Sequence, residues 1–273
     1  MGLLIHEVSN PFFSEIASGV LEAAERHDRM VMICNTRRDP DQELRYIREM
    51  RALRVHAILV AGSEFADEHY GELLERELAE YRSAGGRVTL LRPHPAGSVV
   101  IPDTAAGGRL VAEHLMALGH RNIGVISGPP QLATIGERLS AFEKRLAADG
   151  FGPTYIAPGH FTRDGGREAS LEMLKAESGI TAIFALNDLM AVGAIHAAHQ
   201  LGLRVPEDIS IVGFNDIPIA SDTSPQLTTI RLPLREWGEK SLEAALDGDT
   251  EQKTVILDVE LIHRASSGPA RHD

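Results

Sequence analysis

Short runs of valine, isoleucine and leucine alternate along this chain with longer segments whose apolar residues recur every three or four positions. Residues 3–6, 30–34, 56–60 and 88–91 are the first such runs. Between them Phe13, Ile16, Ala17, Val20 and Ala24 fall on one helical face, as do Leu44, Ile47 and Met50, and then Leu74, Leu78 and Tyr81. Continuously apolar strands separated by helices predict βαβ units, with a parallel sheet covered on both faces and right-handed crossovers. The pattern then restarts. A helix over 104–118 ends at Gly119-His120, followed by a strand at 123–126 and a helix at 136–148. Strands follow at 154–157, 181–185 and 209–213, with helices at 166–176 and 188–201, the latter ending at Gly202. The last segments read as a helix over 234–245, a strand-like run over 254–262 and a loose tail over 266–273. These are two successive βαβ sets, with 98–102 and 228–233 as the expected crossings between lobes.

Composition narrows the function. At 273 residues the chain fits one large α/β domain or two lobes. Lys and Arg number 27 against 39 Asp and Glu, a formal net charge of −12, which argues against holding a nucleic-acid backbone by bulk charge. The single cysteine, Cys34, excludes an intramolecular disulfide framework and reads as a small buried hydrophobe. The longest apolar runs, such as Ala57-Ile58-Leu59-Val60-Ala61, fall far short of the roughly 20 residues that span a bilayer, so no membrane partner is expected. The N-terminus has no basic n-region, and the expected compartment is the cytoplasm.

In open parallel sheets ligands bind beyond the carboxyl ends of the strands, so the loops that follow the strands carry the argument. After the first strand, Asn10 and Pro11 suit the N-cap and first position of a helix, and Phe12 and Phe13 follow. Two adjacent aromatics cannot both face one core. Either they form a hydrophobic staple, or one of them walls a pocket. Arg92 directly follows the fourth strand, where a guanidinium either forks to a carboxylate, phosphate or pair of hydroxyls or keeps a solvated head. In the second set Thr134 and Arg138 enter a helix, Phe161 follows a strand, and Asn187-Asp188 and Asn215-Asp216 each end one. Each Asn or Asp alone reads as an N-cap. Together with Phe161 and Arg138 they make an aromatic face with carboxylate, amide and guanidinium groups, a set suited to a polar ring-shaped ligand.

Motifs for catalysis or phosphate binding are missing. There is no Walker A run and no Gly-x-Gly-x-x-Gly after the first strand, and the stretch 124–128 lacks nucleophile-elbow spacing. His196 and His199 stand three apart on a helix without a third ligand placed by sequence, which favours packing or surface roles. No enzyme, metal or cofactor is expected.

Several longer stretches resemble the effector-binding part of lac-repressor/galactose-repressor (LacI/GalR) family transcription regulators. They are Val8-Ser9-Asn10-Pro11-Phe12-Phe13, Cys34-Asn35-Thr36-Arg37-Arg38-Asp39-Pro40, Leu118-Gly119-His120-Arg121-Asn122-Ile123 and the stretch 128–142. Further on are Ala185-Leu186-Asn187-Asp188-Leu189-Met190-Ala191, the stretch 202–210, Ile211-Val212-Gly213-Phe214-Asn215-Asp216 and the stretch 224–230. The resemblance runs through essentially the whole chain in order. It implies an α/β fold of the periplasmic-binding-protein-like type I: two Rossmann-like parallel-sheet lobes, three crossovers and a ligand cleft between them. The expected lobes are 1–102 with 232–251, and 103–231 with 252–273. The positions matching the family's effector contacts are Asn10, Phe12, Phe13, Ser63 and Arg92 in the first lobe, and Thr134, Arg138, Phe161, Asn187, Asn215 and Asp216 in the second. Phe161 resembles the family's aromatic platform, and Asn215 stands where an Asp is frequent. The resemblance further implies a sugar-like small-molecule effector, a homodimer, and operator DNA bound only through an N-terminal helix-turn-helix headpiece, which is expected to be missing from this chain. The competing expectation is an exported sugar-binding protein of a transport system, from which a constitutive dimer would distinguish the regulator.

Overall fold

The computed structural model describes residues 1–62, 67–129, 136–176, 179–247 and 252–271. Contacts divide the chain into two units, Met1–Pro102 with Pro233–Asp258 and Asp103–Leu232 with Val259–Asp273. In chain order the elements begin with β1 (Gly2–Ile5), α1 (Pro11–Arg26), β2 (Met32–Asn35), α2 (Pro40–Ala52), β3 (Ala57–Ala61), α3 (Glu68–Ser83), β4 (Arg87–Leu90) and β5 (Ser98–Pro102). Then come α4 (Thr104–Ala117), β6 (Ile123–Ser127), α5 (Gly136–Ala147), β7 (Tyr155–Pro158), α6 (Arg163–Ala176), β8 (Ala182–Ala185), α7 (Asp188–Gln200) and β9 (Ser210–Val212). The last are α8 (Ile219–Asp222), β10 (Thr229–Arg231), α9 (Leu234–Leu246), β11 (Thr254–Leu257) and β12 (Glu260–Ile262).

The sheet of the first unit runs β11-β5-β4-β3-β1-β2, with every pairing parallel. Leu3, Leu4 and Ile5 of β1 and Ile58, Leu59 and Val60 of β3 are fully buried, as expected of central strands covered by helices on both faces. Asn10 caps α1 by accepting from the Phe12 amide at 3.0 Å, with Pro11 at the first helical position. Helices α1 and α9 cross closely: a Cβ on Gly19 would stand 1.9 Å from the Arg235 carbonyl, and one on Gly238 2.1 Å from that of Ile16. Trp237 of α9 is buried and donates from Nε1 to the Val100 carbonyl at 2.6 Å.

The sheet of the second unit runs β7-β6-β8-β9, again all parallel, and β10 pairs antiparallel with β12 in a separate ribbon. Phe142, Phe184 and Phe214 are fully buried, with successive ring centroids 4.9 and 6.3 Å apart. Glycines again set the helix crossings. A Cβ on Gly108 of α4 would lie 2.1 Å from the Arg138 carbonyl of α5, and one on Gly193 of α7 2.1 Å from the Arg163 carbonyl of α6. Gly119 and Gly202 follow their helices at φ +87° and +74°, left-handed values that glycine adopts without strain.

Several expectations need correction. The run 254–262 is two strands, because β11 pairs with β5 in the first unit while β12 pairs with β10 in the second. The last crossing therefore falls between Asp258 and Val259, and 252–258 joins the first unit rather than the second. The stretch 98–102 is itself strand β5, and the expected crossing falls at its end, between Pro102 and Asp103. The tail is docked through Ala270, not loose. The Ser266 hydroxyl donates to the Ile211 carbonyl and accepts from the Thr228 amide, and the Ala270 amide donates to Leu118. Serine and glycine look like linker composition, but here the serine hydroxyls complete backbone hydrogen bonds that would otherwise be buried unpaired. Cys34 lies on edge strand β2 and is half-buried rather than buried.

Candidate functional site

Both sheets reverse their strand order beside the first strand, β2-β1-β3 in one unit and β7-β6-β8 in the other. Such reversals open a crevice at the carboxyl ends of the strands, where ligands bind.

In the first unit those ends hold His6, Thr36, Gly62 and Arg92. His6 is buried, its Nδ1 lies 2.9 Å from the Thr36 hydroxyl, and its ring meets Phe13 edge-on at 5.7 Å. A Cβ on Gly62 would fall 2.7 Å from the His6 ring, so glycine lets β3 pass beside it. Phe13 is buried, whereas Phe12 is half-buried and sits edge-on to Phe13 at 5.0 Å and to Trp237 at 6.0 Å. The two aromatics thus take different environments, and Phe12 is the one left partly open. The Asn10 side chain is engaged as a cap. Arg92 does not carry a solvated head. It is 1% exposed, as is Glu43, and its Nη2 donates to Glu43 Oε1 at 3.4 Å, an oxygen that also accepts from the Tyr70 hydroxyl at 2.5 Å. Burial beside Glu43 pushes the Tyr70 phenol well up from its ordinary range. His6 and Thr36 escaped the sequence reading because each follows an apolar strand without any motif of its own. Ser63 lies outside the described residues.

In the second unit Arg138, Asn187, Phe161 and Asn215 come together. Arg138 donates from Nη1 to the Leu186 carbonyl at 2.8 Å, at the end of β8, and its guanidinium lies 4.2 Å from the centre of the Phe214 ring. Its Nε is enclosed and has no hydrogen-bond partner. Loss of hydration pushes the Arg138 guanidinium down to about 10, still charged at neutral pH. Asn187 caps α7, accepting from the Met190 amide at 2.8 Å, and donates from Nδ2 to the Phe161 carbonyl at 3.3 Å. That bond helps hold Phe161 at φ +58°, a conformation few bulky residues adopt and one more often kept where it aims a side chain. Asn215 sits at φ +114° and is 7% exposed. Its amide donates to Ile230, while its buried Oδ1 finds no donor.

Asp216 is placed differently from the other expected contacts. Its two carboxylate oxygens face Arg231 and Arg264, each at 2.7 Å. Asp188, the first residue of α7, is buried. It accepts from the Thr229 hydroxyl at 2.5 Å and from the Ile217 amide at 2.8 Å, and burial pushes its carboxyl up to about 7. It fastens the loop that carries Asn215. Thr134 lies outside the described residues. His196 and His199 are exposed on α7, and among the described residues no three His, Cys, Asp or Glu side chains gather as metal ligands. No helix among those residues is long and apolar enough to cross a membrane.

A periplasmic binding protein-like domain matches residues 112–267. The chain is 33% identical to the HTH-type transcriptional repressor PurR of Aliivibrio salmonicida over 97% of its own length and 80% of the relative's. It is 30% identical to the HTH-type transcriptional regulator DegA of Bacillus subtilis over 98% of its length and 81% of that protein's. Among solved structures it is similar to a LacI family transcriptional regulator from Enterococcus faecium with bound ribose, at a TM-score of 0.87 and 26% identity, covering 99% of each chain. Two parallel-sheet units with strand order reversed beside the first strand, and identity of this extent to repressors, have one reading: the chain belongs to the LacI family of transcriptional regulators and comprises its effector-binding, periplasmic-binding-protein-like part.

Proposed function

We propose that this protein senses a small hydroxylated effector and passes its occupancy on as a change in operator affinity. The observation that carries the reading is the Arg138 group: a guanidinium at the strand-order reversal of the second unit, with Asn187, Phe161 and Asn215 beside it and two buried polar atoms left for a ligand. Ribose bound to the Enterococcus faecium relative supports a sugar-like ligand. The proposed contacts are Arg138, Phe161, Asn187 and Asn215. Arg92 and Asp216 serve mainly to brace the strand ends.

The relatives are repressors and regulators, which favours this reading over an exported binding protein and over an enzyme. Their helix-turn-helix type supports operator contact through a part of that kind rather than through these two acidic units, and favours the cytoplasm, where the operator lies. A homodimer fits the edge of the first sheet. Met32 and Ile33 of β2 are exposed, and Met30 just before it is 90% exposed, an apolar edge that a lone sheet leaves open to aggregation. The test is a thermal-shift screen followed by calorimetry. Specific binding of a sugar-like compound, weakened when Phe161 is replaced by alanine, sustains the proposal. Saturable binding unaffected by that change removes Phe161 from the site.

A further inference from the structure

We infer that the first unit binds a soft monovalent metal ion, copper(I), between the sulfurs of Met32, Cys34 and Met50. The site stands toward the amino ends of β1 and β2, away from the carboxyl ends where ligands bind in such sheets, and it needs no effector.

Residues two apart on a strand point to the same face, so Met32 and Cys34 project together from edge strand β2. That face is the one α2 covers: Cys34 packs against the core cluster that holds Leu44, Ile47 and Met50. Met50 is buried and brings the third sulfur. Gly2 of β1 is the register partner of Met32, about 5 Å away across the ladder. A Cβ on Gly2 would stand 2.2 Å from Met50 Sδ and 2.5 Å from its Cε. The space left by the missing side chain of Gly2 is thus where the Met50 thioether lies, one strand over from Met32 and on the same face. A methionine side chain turns about three bonds, and Met32 is half-exposed. Its thioether can swing toward the other two sulfurs while leaving an ion a path in from solvent.

Ligand softness selects the ion. Thioether and thiolate sulfurs suit copper(I), while the hard divalent cations take oxygen ligands. Charge makes the same choice. The Met1 amino group donates to the Met30 carbonyl at 2.7 Å, and Arg29 acts on it by its field, so this end of the sheet is already positive. Of the three ligands only Cys34 ionises. Burial and the field of Glu49, which is itself paired with Arg45, push the Cys34 thiol up, so it keeps its proton until a metal takes that place. On binding, the S–H bond breaks, an S–Cu bond forms and the proton passes to water, with no electron transferred. The thiolate then cancels one positive charge. A monovalent ion leaves this half-buried, apolar place neutral, whereas a divalent ion leaves an uncompensated charge near Arg29.

The experiment is a titration of the full chain with copper(I), under reductant and without oxygen, against the coloured competitor bicinchoninate. Silver(I) is the redox-inert probe and zinc(II) the divalent control. One copper(I) per chain should leave the competitor. Met32→Leu and Met50→Leu, which replace a thioether by an alkyl group of similar size, should each weaken binding at least tenfold, and Cys34→Ser should abolish it. Gly2→Ala alters no sulfur but drives Met50 Sδ from its place, and should also weaken binding. Circular dichroism checks that each variant folds, and the half-exposed Met32 decides the matter if Met50→Leu does not. Copper(I) held as tightly by the folded leucine variants as by the unaltered chain means a lone reactive thiol and overturns the site. Zinc(II) bound as tightly as copper(I) overturns the class of ion. No uptake of copper(I) or silver(I) overturns both, and effector sensing stands in every case.

Discussion

Gly108 is the position where a single methyl group tests the packing and the site together. A Cβ there would lie 2.1 Å from the Arg138 carbonyl oxygen and 2.9 Å from its carbonyl carbon, both backbone atoms of α5 that no rotamer change removes. Reaching ordinary contact at 3.4 Å requires the two helices to part by about 1.3 Å. Alanine in a helix interior gains about 1 kcal/mol over glycine. Forcing a methyl into backbone contact costs about 3 kcal/mol or somewhat more, the upper end for overpacking, because both sides are rigid. Gly108→Ala should therefore destabilise by about 2 kcal/mol net. Gly71→Ala is the control: it lies within α3 with nothing within 4 Å of the place its methyl would take, so only the propensity term applies and it should stabilise by about 0.5–1 kcal/mol. Urea unfolding followed by circular dichroism measures both. Because α5 carries Arg138, the same displacement should stretch the 2.8 Å bond to Leu186 and weaken effector binding. Gly108→Ala as stable as the unaltered protein would refute the close crossing and the reasoning built on it.

Further outcomes follow from charge and burial. Burial holds His114 down at about 4 beside His263 and Ser267, so its contribution is present above about pH 6.5 and lost as pH falls toward 4. Asp188, raised to about 7, has the opposite sign: its contribution is full below about 3.8 and lost as pH rises through 7. Asp188→Asn should thus steepen the loss of stability on acidification and His114→Gln should lessen it, as read from urea midpoints at pH 5 and 7; unchanged slopes would contradict both assignments. Trp237→Phe removes the bond to Val100 inside the first unit and should cost about 1–2 kcal/mol, measured by thermal unfolding. Met32→Glu places a charge on the exposed edge of β2 and should shift sedimentation equilibrium toward monomer; an unchanged dimer would move the proposed interface elsewhere.

The strand–helix alternation was legible because buried parallel strands are apolar throughout and the helices carry one-sided stripes; β3 and α7 fall within a residue of their expected bounds. Asn10 and Asn187 were legible as caps for the same local reason. What escaped depends on distant partners. Nothing local in the run 254–262 distinguishes a strand that joins β5 from one that joins β10. Nothing around Arg92 in the sequence points to Glu43, 49 residues earlier, which lies beside it. Ser266 and Ser267 read as a tail because their partners, Ile211 and Thr228, lie far back in sequence. Arg138 and Asn215 stood out as residue types, but only the structure reveals which of their atoms remain unpaired.

The last forty residues, moreover, set the order in which this protein acquires its parts during synthesis. The sheet of the first unit ends in β11, and α1 is covered by α9, both of which follow the second unit in the chain. The second unit in turn awaits β12 and Ser266 to close over β10 and β9. A ribosome that has made residues 1–232 has therefore released neither unit complete. At about 5–20 residues per second, the roughly 150 residues between β5 and β11 keep β5 an open apolar edge for about 8–30 s before its neighbour emerges. A nascent chain stalled before Thr254 should be captured by holdase chaperones, and one extended past Ala270 should escape them.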